Sequence, residues 1–484
     1  MIDNFFEEAK KIAGMKNALF SEEIRETLNK NVTEYKGNIF GIIYPKNEDI
    51  LRKIILKSAK YNIPVHPISQ GKNWGFGSRL SSEKRIVLID FSKHMNNILY
   101  VNADLGYAVI EPGVTQGQLS KYLLKNNFPY FLDVTGSSEC SSIVGNLLDR
   151  GVGFNAKRED LALSMRILMT SGDYINTCHL DKDPFILRPP SCEPKTHHLF
   201  VQSNFGIVTQ VFIRLLKKED VTKVFNLIPK KNIDFSALYA DLSELYKSGY
   251  LRCIFHLYDS QRIGNESFPL IGTPEWFGVA NIKGSKSFVK YLEKEIKKVL
   301  RKHGLVVFYT YKLLRIIKWL FPFMKKIIYL LDSSIKIQQG QASNTPVMEL
   351  FNTLNPDEKS KKFLNFIVIA FPHTKTNAFI SKFNELKLLI KRGFSGVSIN
   401  LLDDMFVEAV ISVEGNRESS TEVKSLHNIV SHFIKELINE GFHPYRIDVN
   451  NMKTLKKTSN HILISKIKSA LDSRNIISPS RYNI

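Results

Sequence analysis

The sequence predicts an α+β chain folded as two or three domains, and three features point there. Its 484 residues, 43% hydrophobic and 24% charged, have the composition of a globular protein long enough to bury substantial cores. Apolar positions of strand and helix period alternate from residue 39 onward, beginning with a strand–helix–strand unit. That unit ends in Pro67-Ile68-Ser69-Gln70-Gly71-Lys72-Asn73-Trp74-Gly75-Phe76-Gly77-Ser78, a glycine-rich run between two apolar stretches.

The elements follow in order. Residues 1–36 read as a helical lead-in, with Phe5, Phe6, Ala9, Ile12 and Ala13 at helical spacing. Ile39 to Pro45 reads as a buried strand, 47–61 as a helix with Ile50, Ile54, Leu56 and Ala59 on or near its inner face, and 63–68 as the next strand. Strands are expected at 86–90, 95–101 and 106–114, the last closed by a Pro-Gly turn. Thr115 can cap a helix that runs to about Asn126 and carries Leu119, Tyr122 and Leu123 on one face. Asp133 to Gly153 is small, polar and hydroxyl-rich, a chain able to lie along a flat polar ligand. A third such stretch, Leu199 to Thr209, precedes a strand from Gln210 to Leu216.

Glycine permits positive φ and close approach to the main chain, and successive N–H groups in such a turn form an anion nest. The run at 67–78 therefore reads as a loop cradling a phosphate or pyrophosphate. A tight turn without ligand fits the pattern equally. It is not a P-loop, because no Gly-Lys-Ser/Thr closes it, and no helix follows it as a Rossmann fingerprint requires.

The net charge of +20 suits an acidic partner, but the basic residues are mostly Lys and spread along the whole chain. They read as a solvated surface, and no nucleic-acid partner is expected. Cys140, Cys178, Cys192 and Cys253 have no metal-type spacing, so neither a metal site nor a disulfide framework is expected. The acidic N-terminus lacks an apolar signal-peptide core, which makes the cytoplasm the default compartment. Arg315 to Leu331 is apolar but interrupted by Lys318, Lys325, Lys326 and Pro322, a poor spanning helix. It reads as two helices kinked at Pro322 and packed on a domain, with a helix lying flat on a membrane as the alternative. His66 sits in an apolar strand and reads as core, and the adjacent pair His197-His198 shares no face.

Several segments, in this order, resemble the vanillyl-alcohol oxidase / para-cresol methylhydroxylase family of FAD-linked oxidases. They are Gly71-Lys72-Asn73-Trp74-Gly75-Phe76-Gly77; Glu111-Pro112-Gly113-Val114-Thr115 with Val144-Gly145-Asn146 and Asp149-Arg150-Gly151-Val152-Gly153; and Gln202-Ser203-Asn204-Phe205-Gly206-Ile207-Val208-Thr209. The closing stretch Ala470 to Pro479 agrees. The resemblance covers most of 37–216, then 396–414 and 437–484, and is patchy between 220 and 395. It implies a helical lead-in at 1–36 and a two-part, PCMH-type FAD-binding domain at 37–218. A cap at 219–439, an antiparallel sheet with helices, would lie over the flavin ring, with strands at 366–372, 397–402 and 406–413. Residues 440–484 would return to the FAD-binding domain. The resemblance places Ser69, Gln70, Gly71, Lys72, Asn73, Trp74 and Gly75 at the pyrophosphate. It places Gly113, Thr135, Gly136, Ser138, Ser141, Ser142, Gly145, Asn146, Gly206, Ile207, Val208 and Arg481 along the rest of FAD.

In this family a phenol is held as its anion while hydride leaves the benzylic carbon for the flavin. Favouring the anion of a phenol at neutral pH takes about 4 kcal/mol, which a fixed Arg and a Tyr donor in a dry pocket can supply. Gly441-Phe442-His443-Pro444-Tyr445-Arg446 matches the motif, so Tyr445 and Arg446 fall on the phenolate-binding pair. Three positions depart from the family. Phe76 and Phe154 stand where it has Tyr, and Ser137 stands where it has an acid near the reacting flavin atom, with Glu139 and Asp133 as candidate replacements. Ile367 falls near the family's covalent-attachment position and cannot form the bond, His373 lies just past that strand, Lys72 replaces a linking His, and Cys140 lacks the flanks of a linking Cys. The expectation is non-covalent FAD.

The resemblance thus implies an FAD-dependent oxidoreductase acting on a small phenolic or related aromatic molecule. Tailoring of a non-phenolic secondary metabolite, or an inactive flavin-fold binding protein, are the alternatives. The family implies dimers. Oxygen, a cytochrome subunit as electron-acceptor protein, and a quinone all stand open as electron acceptors.

Overall fold

The computed structural model describes residues 2–484 except 83–84, 190–191, 264–272, 321–324, 391–392 and 456. The expected kink at Pro322 lies outside the described residues.

The N-terminal part holds two principal sheets. In the first, the strands lie in the order Ala18–Leu19, Ile39–Ile43, Ile86–Asp90, Val65–Ile68, the last three parallel. A helix, Glu48–Tyr61, makes the crossover; the Asn47 side chain accepts from the Ile50 N–H at its start, and Asn62 in left-handed conformation ends it. The helix Ile2–Ala13 buries Phe5, Phe6, Ala9 and Ala13 in the same core. The lead-in is helical only in part, because Ala18–Leu19 joins the sheet antiparallel to Ile39–Ile43 before a second helix, Glu22–Asn29. The second sheet is antiparallel, in the order Ile98–Asn102, Tyr107–Ile110, Ile207–Arg214, Ala162–Leu168, Tyr174–Asn176. Beside it Thr115 caps the helix Gln116–Lys125 in a reciprocal capping box with Gln118.

The cap is an eight-stranded antiparallel sheet. Its strands lie in the order Gly304–Tyr309, Val221–Pro229, Trp276–Gly284, Phe255–Asp259, Phe394–Leu401, Phe406–Asn416, Lys362–Pro372, His443–Arg446. The last of these belongs to the cap sheet, so the chain leaves the cap after Arg446 and not at residue 440. Alternation along a strand sends successive side chains to opposite faces. Ile367, Ile369 and Phe371, with Val397, Ile399 and Leu401 and with Val407, Ala409, Ile411 and Val413, enter one core. The helices Phe235–Lys247, Lys286–Leu300, Thr376–Leu389 and Ser420–Asn439 cover that face. The opposite face looks onto the glycine-rich loop.

The loop leaves Val65–Ile68 and enters Ile86–Asp90, and Gly71, Gly75 and Gly77 all take positive φ, +63°, +80° and +104°. Two of these glycines serve packing. A Cβ on Gly75 would lie 2.3 Å from the Phe366 ring, and one on Gly77 2.5 Å from Val449. Backbone bonds seal both contacts: Phe366 N donates to Gly75 O at 3.0 Å and Val449 N to Phe76 O at 3.1 Å. The loop is thus fastened to the cap strand and to the returning C-terminal segment.

Gly75→Ala should cost about 1–3 kcal/mol, since it adds an overpacking contact to a left-handed backbone. Gly136→Ala, whose Cβ meets nothing nearer than Phe154 at 3.9 Å, should stay within about 0.5 kcal/mol of wild type. Urea unfolding of both variants reads the contrast.

Candidate active site

Between the loop and the bare face of the cap sheet lies a cavity of about 1220 Å³. It exceeds the roughly 300–1,000 Å³ of ordinary small-molecule pockets, which leaves room for a large cofactor and a second ligand. Of the expected cofactor residues, Ser69, Gln70, Gly71, Lys72, Asn73, Trp74, Thr135, Gly136, Ser141, Ser142, Gly145, Asn146, Gly206, Val208 and Arg481 line it. Four do not, and each has a local reason. Gly75 is turned to Phe366. Gly113 packs on the Phe91 carbonyl and gives its own carbonyl to the Gln70 amide at 2.6 Å. The Ser138 hydroxyl donates to Asn344 Oδ1 at 2.8 Å. Ile207 is buried in the core under the first sheet.

One buried carboxylate ties the floor together. Asp149 accepts from Arg446 Nη2 at 2.5 Å, from Arg446 Nε at 3.1 Å, from the Tyr482 hydroxyl at 2.6 Å and from Asn73 Nδ2 at 3.2 Å, and Arg481 lies 3.6 Å away. Burial alone would raise its pKa; the charges of Arg446 and Arg481 outweigh it and hold the carboxyl below its ordinary value. Arg446 also donates to Asn73 Oδ1 at 3.0 Å and lies 4.2 Å over the Phe76 ring. Its Nη1 makes no hydrogen bond among the described residues.

The cap supplies the roof. His256 and Tyr258, Ser398 and Asn400, Glu408 and Val410, Phe366 and Val368 all face the cavity by strand alternation. Three form a chain across adjacent strands: His256 Nδ1 meets Asn400 Oδ1 at 2.8 Å, and Asn400 Nδ2 donates to Glu408 Oε2 at 3.0 Å. An amide that donates to Glu408 presents its oxygen to His256, so His256 carries its proton on Nδ1. Burial pushes Glu408 up to about 7, offset by the Asn400 bond and the charge of Arg446. Burial lowers His256 to about 4 and keeps it neutral at pH 7.

Of the five expected catalytic positions, Arg446, Phe76, Phe154 and Ser137 line the cavity. Phe154 packs against His256 with ring centroids 4.9 Å apart. Tyr445 is not a lining residue. It is the extra residue of a β-bulge, because Arg446 pairs with Val368 while Pro444 pairs with Ile369. Its hydroxyl oxygen is buried without a hydrogen-bond partner among the described residues, and burial together with the Glu408 charge raises its pKa, so it stays protonated. Ser137 is absorbed by the Gln116 amide, which donates to its hydroxyl and carbonyl at 3.3 and 3.2 Å.

Neither replacement for the missing acid reaches the cavity. Glu139 pairs with Lys121 at 2.5 Å, and Asp133 is consumed by the Asn155 and Ala156 amides. The cavity wall does hold acids, Glu408 on the roof among them, with Asp149, Glu349, Glu414 and Glu422. The sequence signal for Glu408 was the alternation of residues 406–413, which gives a face only once the register with Phe394–Leu401 is known. At the attachment position, Ile367 points into the cap core while Phe366 and Val368 face the cavity, and His373 and Cys140 do not line it. His66 is buried, as expected, but lines the cavity edge, with Nδ1 2.8 Å from Ser478 Oγ. The described residues hold no cluster of His, Cys, Asp and Glu able to bind a metal.

The wall suits a long, flat, polar ligand. Asn146 Oδ1 and Asn204 Oδ1 are buried acceptors with no donor among the described residues, and both residues line the same cavity as 69–74, 135–137 and 141–142.

Comparison with known proteins agrees with this. Residues 40–177 match the FAD binding domain family. The fold over the whole chain is that of 4-ethylphenol oxidase from Gulosibacter chungangensis, with a TM-score of 0.88, 19% identity, and 100% and 97% of the two chains covered. Among curated proteins, the chain is 28% identical over 260 residues to the 1'-carboxy-chondrochloren decarboxylase of Chondromyces crocatus, spanning 52% of this chain and 48% of that one. It is 31% identical over 194 residues to the 4-cresol dehydrogenase [hydroxylating] flavoprotein subunit of Pseudomonas putida, spanning 39% and 37%. The alignments therefore span half or less of those relatives. The chain carries an FAD-binding domain of PCMH type. The resemblance to the vanillyl-alcohol oxidase / para-cresol methylhydroxylase flavoproteins holds in sequence motif and in fold.

Asp149→Asn would leave two guanidiniums facing a neutral amide and should cost about 3–5 kcal/mol. The carboxyl's folded pKa is depressed, so its contribution is complete above the unfolded value of about 3.9 and fades as pH falls through the folded one. Thermal unfolding from neutral to acid pH should show the wild-type advantage shrinking over that acid window.

Proposed function

We propose that the protein is an FAD-dependent oxidoreductase that oxidises a phenolic or closely related aromatic molecule at its benzylic carbon. The observation that carries this reading is the convergence of Arg446, Phe76, Phe154 and Glu408 on one cavity. When bound along the floor, FAD supplies a two-electron hydride acceptor. The chain's own residues do the rest. Arg446 offers positive charge and a free Nη1 to a substrate oxygen, so that the phenol binds as its anion. Phe76 and Phe154 add apolar rings to the cavity wall, which favours an aromatic ligand. Glu408, ionised near neutral pH, takes the proton of the phenol hydroxyl, while Asn400 holds its carboxylate in place.

The cavity wall presents no nucleophile at the attachment position, which supports dissociable FAD. Acid precipitation should leave the yellow colour in the supernatant; colour in the pellet would mean a covalent bond.

A second reading rests on Arg262. Its guanidinium lines the cavity 5.5 Å from the Phe366 ring, and no ion pair reaches it among the described residues. The nearby carboxylates Glu414 and Asp259 are taken by Lys362 at 3.1 Å and Lys387 at 3.2 Å. A free cation there favours an aromatic substrate that carries a carboxylate, which oxidation would release as carbon dioxide. Turnover of para-alkylphenols against carboxylated analogues, with carbon dioxide measured, separates the two readings.

With Glu408 as base, kcat should rise with pH through about 7. Glu408→Gln should remove that limb and lower kcat by about 10²–10⁴-fold. An unchanged pH profile in the variant would exclude the role.

A further inference from the structure

The helix Tyr311–Leu320 takes no part in the site. Its inward seam is Leu314 and Ile317, packed with Val224, Val279 and Tyr309. Its other described side chains are exposed: Leu313, Ile316, Leu320 and Trp319, the last 81% exposed, with Lys312 and Arg315 between them. The neighbouring edge strand Gly304–Tyr309 turns Leu305, 61% exposed, and Val307 to the same solvent. A surface helix of a globular domain ordinarily shows water a polar face; this one shows an apolar and basic arc. From residue 296 to 331 the sequence has nine Lys or Arg and no Asp or Glu.

We propose that this face of the cap is a peripheral docking surface for an anionic lipid bilayer. The helix lies in the plane of the headgroups, with Ile316, Trp319 and Leu320 at the acyl boundary and Lys312 and Arg315 on the phosphates. An exposed Trp at the tip of such a helix suits that interface, where one side of the ring is dry and the other wet. Charge selects the occupant. A second copy of this chain would set the same acid-free basic segment against itself across a two-fold axis, whereas an anionic surface complements it. No helix among the described residues is long and apolar enough to cross a membrane, so contact is in plane. The next helix, Lys325–Gln338, places Leu331, Ser334 and Ile337 on the cavity wall. A lipophilic aromatic substrate dissolved in the bilayer would be released one helix away from the site. That last point rests on the proposed function; the docking itself does not.

The test uses the full chain and sedimentation with vesicles of phosphatidylcholine alone or with phosphatidylglycerol added. Wild type should bind the anionic vesicles roughly tenfold better, shift its Trp emission to the blue on binding, and be released by salt. The double variant Trp319→Ser, Leu320→Ser changes only exposed side chains. It should lose both signals while retaining wild-type circular dichroism and bound flavin. No binding of wild type to anionic vesicles, or full binding by the double variant, would overturn the proposal. So would a concentration-dependent dimer that the double variant dissolves, since that would assign the face to a second copy.

Discussion

The contact on which the rest of the molecule depends is the buried carboxylate of Asp149. It joins four segments distant in sequence: the glycine-rich loop through Asn73, its own motif 149–153, the cap's edge strand through Arg446, and the C-terminus through Arg481 and Tyr482. Buried charge is tolerated only when paired and hydrogen-bonded. Asp149 meets that demand with two cations and two neutral donors. Because one of those cations is Arg446, the contact that closes the floor of the cavity also fixes the guanidinium that the proposed function offers to a substrate.

The roof follows a different logic. The cap sheet buries every second side chain under its helices and leaves the alternate set bare toward the loop. That bare set is mixed: rings and aliphatic groups at Phe366, Val368 and Val410, polar groups at Asn400, Glu408 and His256. In so dry a setting a carboxylate loses its preference for charge, so Glu408 titrates near neutrality while His256 stays neutral. Two groups whose environments push them in opposite directions, bridged by one amide, thus face a floor suited to a large polar ligand.

What could be read in the sequence was what is local. The glycines around residue 75, the Thr115 cap, the strand–helix–strand unit and the alternating cap strands each follow from a short stretch of chain. The motifs that resemble known flavoproteins are likewise contiguous. What could not be read is what depends on register. Glu408 faces the cavity because three strands align it with Asn400 and His256, and one step of slippage would bury it in the cap core. Gly75 was placed at the pyrophosphate by the glycine-rich run and the family resemblance, yet its close neighbour is Phe366, nearly three hundred positions later. Glu139 and Asp133 had the right chemistry and the wrong partners. Tyr445 and Arg446 were found as neighbours, but only the pairing of the strand, with its bulge opposite Val368 and Ile369, shows that Arg446 lines the cavity and Tyr445 does not. The lead-in's Ala18–Leu19 strand was too short for any period to declare it.

The central claim is that one cavity holds a flavin and an aromatic substrate, with Arg446 answering the substrate's oxygen. Anaerobic titration of the FAD-loaded protein with a para-alkylphenol tests it most directly, followed by the visible flavin absorbance. The account predicts that the flavin bleaches with the alkylphenol, that an analogue without the hydroxyl leaves it oxidised, and that Arg446→Met binds FAD but bleaches slowly. A protein that takes up no flavin, or whose Arg446→Met variant bleaches as fast as wild type, would contradict it.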